Sequence, residues 1–205
     1  MKKRVMWIFS ILALIFLTQC SNNTPEEKEY INSIKDRREV MDDWMENDPN
    51  SPFNYKGKID FNGLNYFDVD PSFVFKSKLV VYDDKKEIPV YGTQGEERSA
   101  LRIGYLPFTK DGNDYKVNVY ANMGKDSTIY YSIWFTDKTT DKQTYGVGRY
   151  LPFELDQDPD HVYTVDFNLA FNPYCAYSPN YSCAIPTQDD YIDLKITAGE
   201  KKYHN

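Results

Sequence analysis

The chain has 205 residues, with 31 Asp and Glu against 24 Lys and Arg. Three of the basic residues and none of the acidic ones fall in the first 19 positions, so the remainder carries 21 against 31, a net charge of −10. A surface of that sign repels phosphate backbones and anionic headgroups, which argues against nucleic acid as a partner and against adsorption as a means of membrane attachment; the 12 Phe and 18 Tyr supply enough apolar surface for one core rather than two.

The first element is a leader. Lys2, Lys3 and Arg4 precede an apolar run from Val5 to Leu17, about a dozen residues and so shorter than the ~20 that a spanning helix needs. Leu17-Thr18-Gln19-Cys20 resembles the lipobox of bacterial lipoproteins, with Gln19 in place of the usual small residue. Residues 1–19 are therefore expected to be a lipoprotein signal peptide, with Cys20 as the lipidation site. Acyl chains on Cys20, at about 0.8 kcal/mol per buried methylene, would hold the protein on a membrane of the bacterial cell envelope, with the domain outside the cytoplasm. Plain secretion after cleavage is the alternative.

Residues 20–24 read as a polar tether. Thr24, Pro25 and Glu27 have the spacing of a capping box with proline in the first turn, and Ile31, Ile34, Met41 and Met45 recur at helical spacing, interrupted by Arg38 and flanked by Trp44. One amphipathic helix is expected over 25–48, its "KDRRE" charges on a solvated face, with Asp48-Pro49 as the stop.

Residues 49–205 then read as one β-rich domain. Candidate strands are "FVFKSKLVVY", "SALRIGYLPF", "DYKVNVYA", "STIYYSIWF", "TYGVGRYLPFEL", "VYTVDFNLAF" and "YIDLKITAG", separated by turns such as "KDGND" and "NMGKDS". In "TIYYSIWF", Ile129, Tyr131, Ile133 and Phe135 would share one face, and Tyr130, Ser132 and Trp134 the other. The connections leave no room for crossover helices, so the fold class expected is mainly β: an antiparallel barrel-like or sandwich sheet with one N-terminal amphipathic helix.

Several strings here, "SPF", "FNGLNYF", "TYGVGRYLPF", "DFNLAFNPYCAYSPNYSC" and "ITAGEKK", resemble the bacterial family known as domain of unknown function 1684, whose members often occur as lipoproteins. The resemblance spans about 35–202 and is most specific from Asp166 to Cys183. It implies a β-rich single domain and no named activity. The chain departs from the family where "AIPTQ" stands in place of a proline-rich segment after the second cysteine.

Cys175 and Cys183, eight positions apart, are expected to pair as a disulfide in an oxidising compartment. The alternatives are a reactive thiol at Cys175, for which only His161 and His204 could serve as base, and a zinc site, whose ligand set would be incomplete. Asp156, Asp158 and Asp160 mimic the start of a calcium loop, but His161 replaces its glycine and Phe167 its closing glutamate. Gly146 and Gly148 lack the third glycine of a dinucleotide loop and read instead as a bulge or close approach. No metal and no cofactor are expected.

What remains is a polar constellation of Arg149, Asp166, Asn168, Asn172, Tyr174 and Glu200. In a structural role, Asp166 or Glu200 would pair with Arg149 inside the fold and the asparagines would satisfy turns. In a functional role, Arg149 would grip a small anionic or hydroxylated ligand that Asn172 orients. Two classes stay open. One is a membrane-tethered, non-enzymatic small-ligand-binding or envelope-accessory lipoprotein. The other is a hydrolase or transferase acting on envelope material, with Asp166 or Glu200 as acid or base and Arg149 as anion stabiliser. Ligand and oligomeric state are not legible.

Overall fold

The computed structural model describes residues 23–55, 57–124 and 126–204. The leader and the Cys20 lipidation site lie outside the described residues. Helix α1 (Pro25–Asn47) begins with the expected capping box: the Glu27 amide donates to Thr24 Oγ1 at 3.2 Å, and the Thr24 amide donates to Glu27 Oε2 at 2.9 Å. Asp48 is its extended C-cap, and Pro49 follows. Only Ile34 and Met45 of its stripe are fully buried. Arg38 occupies a stripe position and is half-buried over the ring of Tyr66, which corrects the reading of "KDRRE" as a uniformly solvated face.

Eight strands follow: β1 (Val74–Lys78), β2 (Val80–Tyr91), β3 (Glu97–Lys110), β4 (Asn113–Met123), β5 (Ile129–Asp137), β6 (Arg149–Leu151), β7 (Val162–Asp166) and β8 (Tyr191–Ile192). Strands β2 to β6 pair in chain order as a curled half-barrel, and β8 joins β5 in the one parallel contact among the described strands. β1 pairs with β7, from Val74 opposite Asp166 to Lys78 opposite Val162. The mainly β, largely antiparallel fold with one N-terminal helix is thus as the sequence indicates. The run "FVFKSKLVVY" is broken at Leu79, however, and "TYGVGRYLPFEL", "VYTVDFNLAF" and "YIDLKITAG" are strand only in part. Those three strings carry glycines, Asn168 and Pro152, residues that end ladders, and their backbone groups bond to turns and to the C-terminal segment instead.

The alternation along β5 has the consequence expected of a period of two. Ile133 and Phe135 enter the main core with Leu106, Val119, Phe167 and Ile196, while Trp134 points to the opposite side and stacks on Tyr120 at 4.3 Å. Phe167 is fully buried, with Phe108 and Phe135 ring centroids 5.2 and 5.3 Å away. A third cluster, Met45, Phe53, Ala176 and Tyr177, ties α1 to the 174–177 turn. Each large side chain so buried contributes roughly 1.5–3 kcal/mol.

Gly148 shows why the approach to β6 needs a glycine: its φ is +106°, and a Cβ there would lie 2.5 Å from the Phe135 carbonyl oxygen. Gly146 is exposed and meets only the Asp141 side chain, at 3.0 Å. Gly148→Ala should therefore destabilise the protein by roughly 2–4 kcal/mol and Gly146→Ala by less than about 1 kcal/mol, compared by urea unfolding. Equal losses would contradict the close approach.

Candidate functional site

The six polar residues singled out in the sequence divide between scaffold and cleft. Arg149, at the start of β6, is 1% exposed. Its Nη1 donates to the carbonyls of Ala198 and, at 3.2 Å, Glu200; its Nη2 donates to Ile196 O at 2.9 Å. The carboxylate beside it belongs to Asp137, 3.7 Å away and equally buried, which also accepts from the Ile196 amide at 2.8 Å and from Thr139 Oγ1 at 2.7 Å. Burial pulls the guanidinium down to about 10, so it remains a cation at neutral pH. Arg149 is thus spent on the C-terminal segment and has no Nη left for a ligand, and its acidic partner is neither the Asp166 nor the Glu200 side chain. The expectation that it grips a ligand is corrected accordingly.

Asp166 and Asn168 work as a clamp on the helix. Asp166 Oδ1 accepts from the Asn168 amide at 2.9 Å, turning the chain out of β7, and its Oδ2 accepts from the Tyr30 hydroxyl of α1 at 2.8 Å. The Asn168 side-chain amide donates to Asp70 O at 2.8 Å and to the Tyr30 oxygen at 3.0 Å, while its Oδ1 accepts from the Asp70 amide at 2.8 Å. Asn172 is 1% exposed and donates through Nδ2 to Lys201 O at 2.7 Å. It does not face a ligand cleft, so the orienting role expected of it has no surface to act on.

Three of the six do meet at a cleft. Asn168, Tyr174 and Glu200 line a space of about 760 Å³ between α1 and residues 168–174, opposite Ile34, Arg38, Met41 and Trp44 of the helix. Tyr174 is 37% exposed and stacks toward Trp44 with centroids 6.5 Å apart. Glu200 is 2% exposed; its Oε2 accepts from the Tyr177 hydroxyl in a short contact and from the Asn172 amide at 3.0 Å. Burial outweighs those donors and pushes the carboxyl up to about 7.

Arg38, Trp44 and Tyr66 are cleft residues that the sequence reading did not single out. Arg38 Nη1 donates to Phe67 O at 2.8 Å, its carbon lies 4.3 Å from the Tyr66 ring centroid, and its Nε is buried without an acceptor. The available signal was positional, because Arg38 stands in the register of Ile31, Ile34, Met41 and Met45, where a solvated arginine does not belong. Asp190 was also missed. It is 4% exposed and accepts from Asn118 Nδ2 at 2.9 Å, the Tyr120 hydroxyl at 2.7 Å, Trp134 Nε1 at 3.1 Å and the Thr187 amide at 2.8 Å. Those donors fasten residues 187–190 to the sheet.

The cysteines are neighbours, with the Cys175 amide donating to Cys183 Sγ at 3.2 Å, but they are two thiols rather than the bonded pair expected. The Tyr145 hydroxyl lies 3.8 Å from Cys175 Sγ. His161 instead pairs with Asp156 at 3.2 Å, on a turn where Asp156 and Asp158 accept from the amides of Asp158 and Asp160.

Glu200 yields a pH prediction. Between its ordinary 4.5 and about 7 the folded protein keeps a proton that the unfolded chain releases, so stability falls as pH rises through that window, by on the order of 3 kcal/mol in total. Glu200→Gln should lack this fall, gaining on the parent by roughly 2–3 kcal/mol between pH 4.5 and 8 in urea unfolding. Parallel pH profiles would rule out Glu200 as the titrating group.

Comparison with known proteins places the fold and its motifs in one group. A family model described as "Protein of unknown function (DUF1684)" matches residues 59–201, from just after α1 to just after Glu200. Among solved structures, an uncharacterized protein of Haloarcula marismortui, determined by solution NMR, is 29% identical. The match covers 86% of this chain and 96% of that one, with a TM-score of 0.61. The chain belongs to the DUF1684 family.

Proposed function

We propose that this protein is a membrane-tethered lipoprotein of the bacterial cell envelope that binds a small anionic or hydroxylated ligand, without catalysing its conversion, in the cleft between α1 and residues 168–174. The observation that carries the reading is the cleft itself. About 760 Å³ of space has apolar walls and a few convergent polar groups from Arg38, Asn168, Tyr66 and Glu200, the composition of a small-molecule site. Its two walls come from elements far apart in the chain and are clamped together by the Tyr30–Asp166–Asn168 contacts, so the shape is set before a ligand arrives.

Tethering rests on the leader and on the lipobox-like Leu17 to Cys20. A lipid on Cys20 leaves five residues to the start of α1, a reach of under roughly 20 Å. In the oxidising environment outside the cytoplasm, the adjacent Cys175 and Cys183 thiols would close as a disulfide and stiffen the turn that carries Tyr174. A hydrolase or transferase acting on envelope material is the second reading. It is favoured by one observation, a Glu200 carboxyl pushed up to about 7 on the wall of the cleft. In that case Glu200 is the acid or base, Arg38 takes the anion-stabilising place, and Glu200→Gln abolishes turnover while ligand binding persists.

Two measurements check the proposal. A thermal-shift screen of the chain from Ser21 against organic anions, sugars and acyl compounds should find a ligand that adds about 2.7 kcal/mol at a hundred times its Kd, raising Tm by roughly 5–10 °C. Arg38→Gln should remove that rise for an anion; a rise unchanged in Arg38→Gln and Trp44→Ala would put the site elsewhere. Cys20→Ser in the full-length chain should move the protein out of the membrane fraction, and full retention there would refute the lipid anchor.

A further inference from the structure

The kind of ligand can be taken further than "small and anionic", on the reading that the cleft is the binding site. Most of its wall is hydrocarbon: Ile34, Met41 and Trp44 on the helix face Leu169, Ala170 and Phe171 on the other side. Part of that hydrocarbon is left in water, with Val40 70% and Met41 36% exposed at the cleft edge. Such surface gains from an apolar occupant and nothing from a compact polar one.

Positive charge sits at one place in the cleft. Arg37 and Arg38 are adjacent on α1 and both line it. Among the described residues Arg37 is exposed and has no carboxylate within ion-pair distance. Arg38 carries a buried Nε with no acceptor, although its Nη1 donates to Phe67 O and its Nη2, at 3.5 Å, to Asn168 O. A guanidinium with an unused N–H next to a second, unpaired guanidinium is complementary to a carboxylate. Glu200, on the opposite wall, would oppose an anion only when ionised.

We infer that the cleft takes a free, single-chain amphiphile with a carboxylate head, its acyl chain lying along Ile34, Met41, Trp44, Leu169 and Phe171 and its carboxylate on Arg37 and Arg38. The occupant is a monomer rather than a bilayer surface, because residues 20–205 carry a net charge of −10 and are repelled by anionic lipid headgroups. Selectivity follows from the two ends of the cleft. The apolar wall rejects short anions for want of buried area, and the arginines prefer the acid to its ester.

The cleft carries its own reporter. The chain from Ser21 contains two tryptophans, Trp44 in the cleft and Trp134 buried against Tyr120. The chain from Ser21 retains both partners of every contact described above. Trp44 emission is recorded while octanoate, decanoate, dodecanoate, methyl dodecanoate and acetate are titrated below their aggregation limits, with Trp44→Phe as the control for signal from Trp134. The expected result is saturable binding that tightens roughly fifteenfold per two added carbons, since each buried methylene is worth about fourfold. Methyl dodecanoate should bind at least tenfold more weakly than dodecanoate. Arg37→Gln, at an exposed position, should narrow that gap, and Met41→Asp, also at the surface, should weaken every chain length.

Binding that is independent of chain length, with acetate as good as dodecanoate, overturns the amphiphile while leaving the cleft as a ligand site. Chain-length dependence without preference for the acid over the ester overturns the arginine head site. If dodecanoate leaves Trp44 emission unmoved, and calorimetry finds either no binding or binding insensitive to Met41→Asp, the amphiphile proposal falls. If the thermal-shift screen is also blank, the cleft reading falls with it.

Discussion

A guanidinium removed from water needs acceptors, and both Nη groups of Arg149 find them in the carbonyls of Ile196, Ala198 and Glu200 beside the buried carboxylate of Asp137, while its Nε is buried without an acceptor. Three alternate carbonyls of the irregular C-terminal segment are thereby fixed to the start of β6. Asp137 holds the same segment from its other edge through the Ile196 amide. Breaking such a pair by removing one member leaves a stranded buried charge, which typically costs about 3–5 kcal/mol. The rest of the C-terminal arrangement follows from this anchor. Gly199 passes close enough to Ala170 that a Cβ would lie 2.5 Å from its carbonyl oxygen, Tyr66 bridges to Glu200, and the Glu200 side chain is carried to the cleft wall.

The helix is held by a different device. Its own stripe buries only Ile34 and Met45 completely, too little to fix its orientation. The Tyr30 hydroxyl, shared between Asp166 and Asn168, and the Arg38 guanidinium, laid over Tyr66 and bonded to Phe67 O, supply directional contacts at two points along the axis. Met45 with Phe53, Ala176 and Tyr177 supplies a third. Between these points the helix stands off the domain, and the cleft is the space left there. The family segment at 59–201 provides one wall and α1, which precedes it, provides the other. Binding properties of the cleft therefore depend on residues that lie partly outside the segment matched to the family.

Buried polar groups carry the specificity of this fold. Arg149, Asp190 and Glu200 are each nearly inaccessible, and each is met by groups distant in sequence: carbonyls at 196–200, the Asn118, Tyr120 and Trp134 donors, and the Tyr177 hydroxyl with the Asn172 amide. Apolar packing around Phe167 explains why the sheet and the 167–171 segment stay together. It does not explain why a single arrangement of the irregular C-terminal third is chosen, since that segment has little ladder of its own. Directional partners do.

The local features were legible because their causes are local. The Thr24–Glu27 box, the stop at Asp48-Pro49, the period of two along 129–135 and the turn residues between short strands together determine one helix and a mainly antiparallel sheet from the sequence alone. The same periodicity states which face a residue takes, and not what it meets there. Asp166, Asn168 and Glu200 were recognised as polar residues out of place, but their partners are Tyr30, 136 to 138 positions away, and Tyr177 and Asn172. Arg38 was recorded as an interruption of a stripe, yet only the docked helix shows that the interruption faces Tyr66 and a cleft. Composition and spacing thus determined the elements and the sign of the surface charge. Which buried charge neutralises which, and where a cavity remains, was decided by tertiary packing, because desolvated polar groups choose partners by proximity in space.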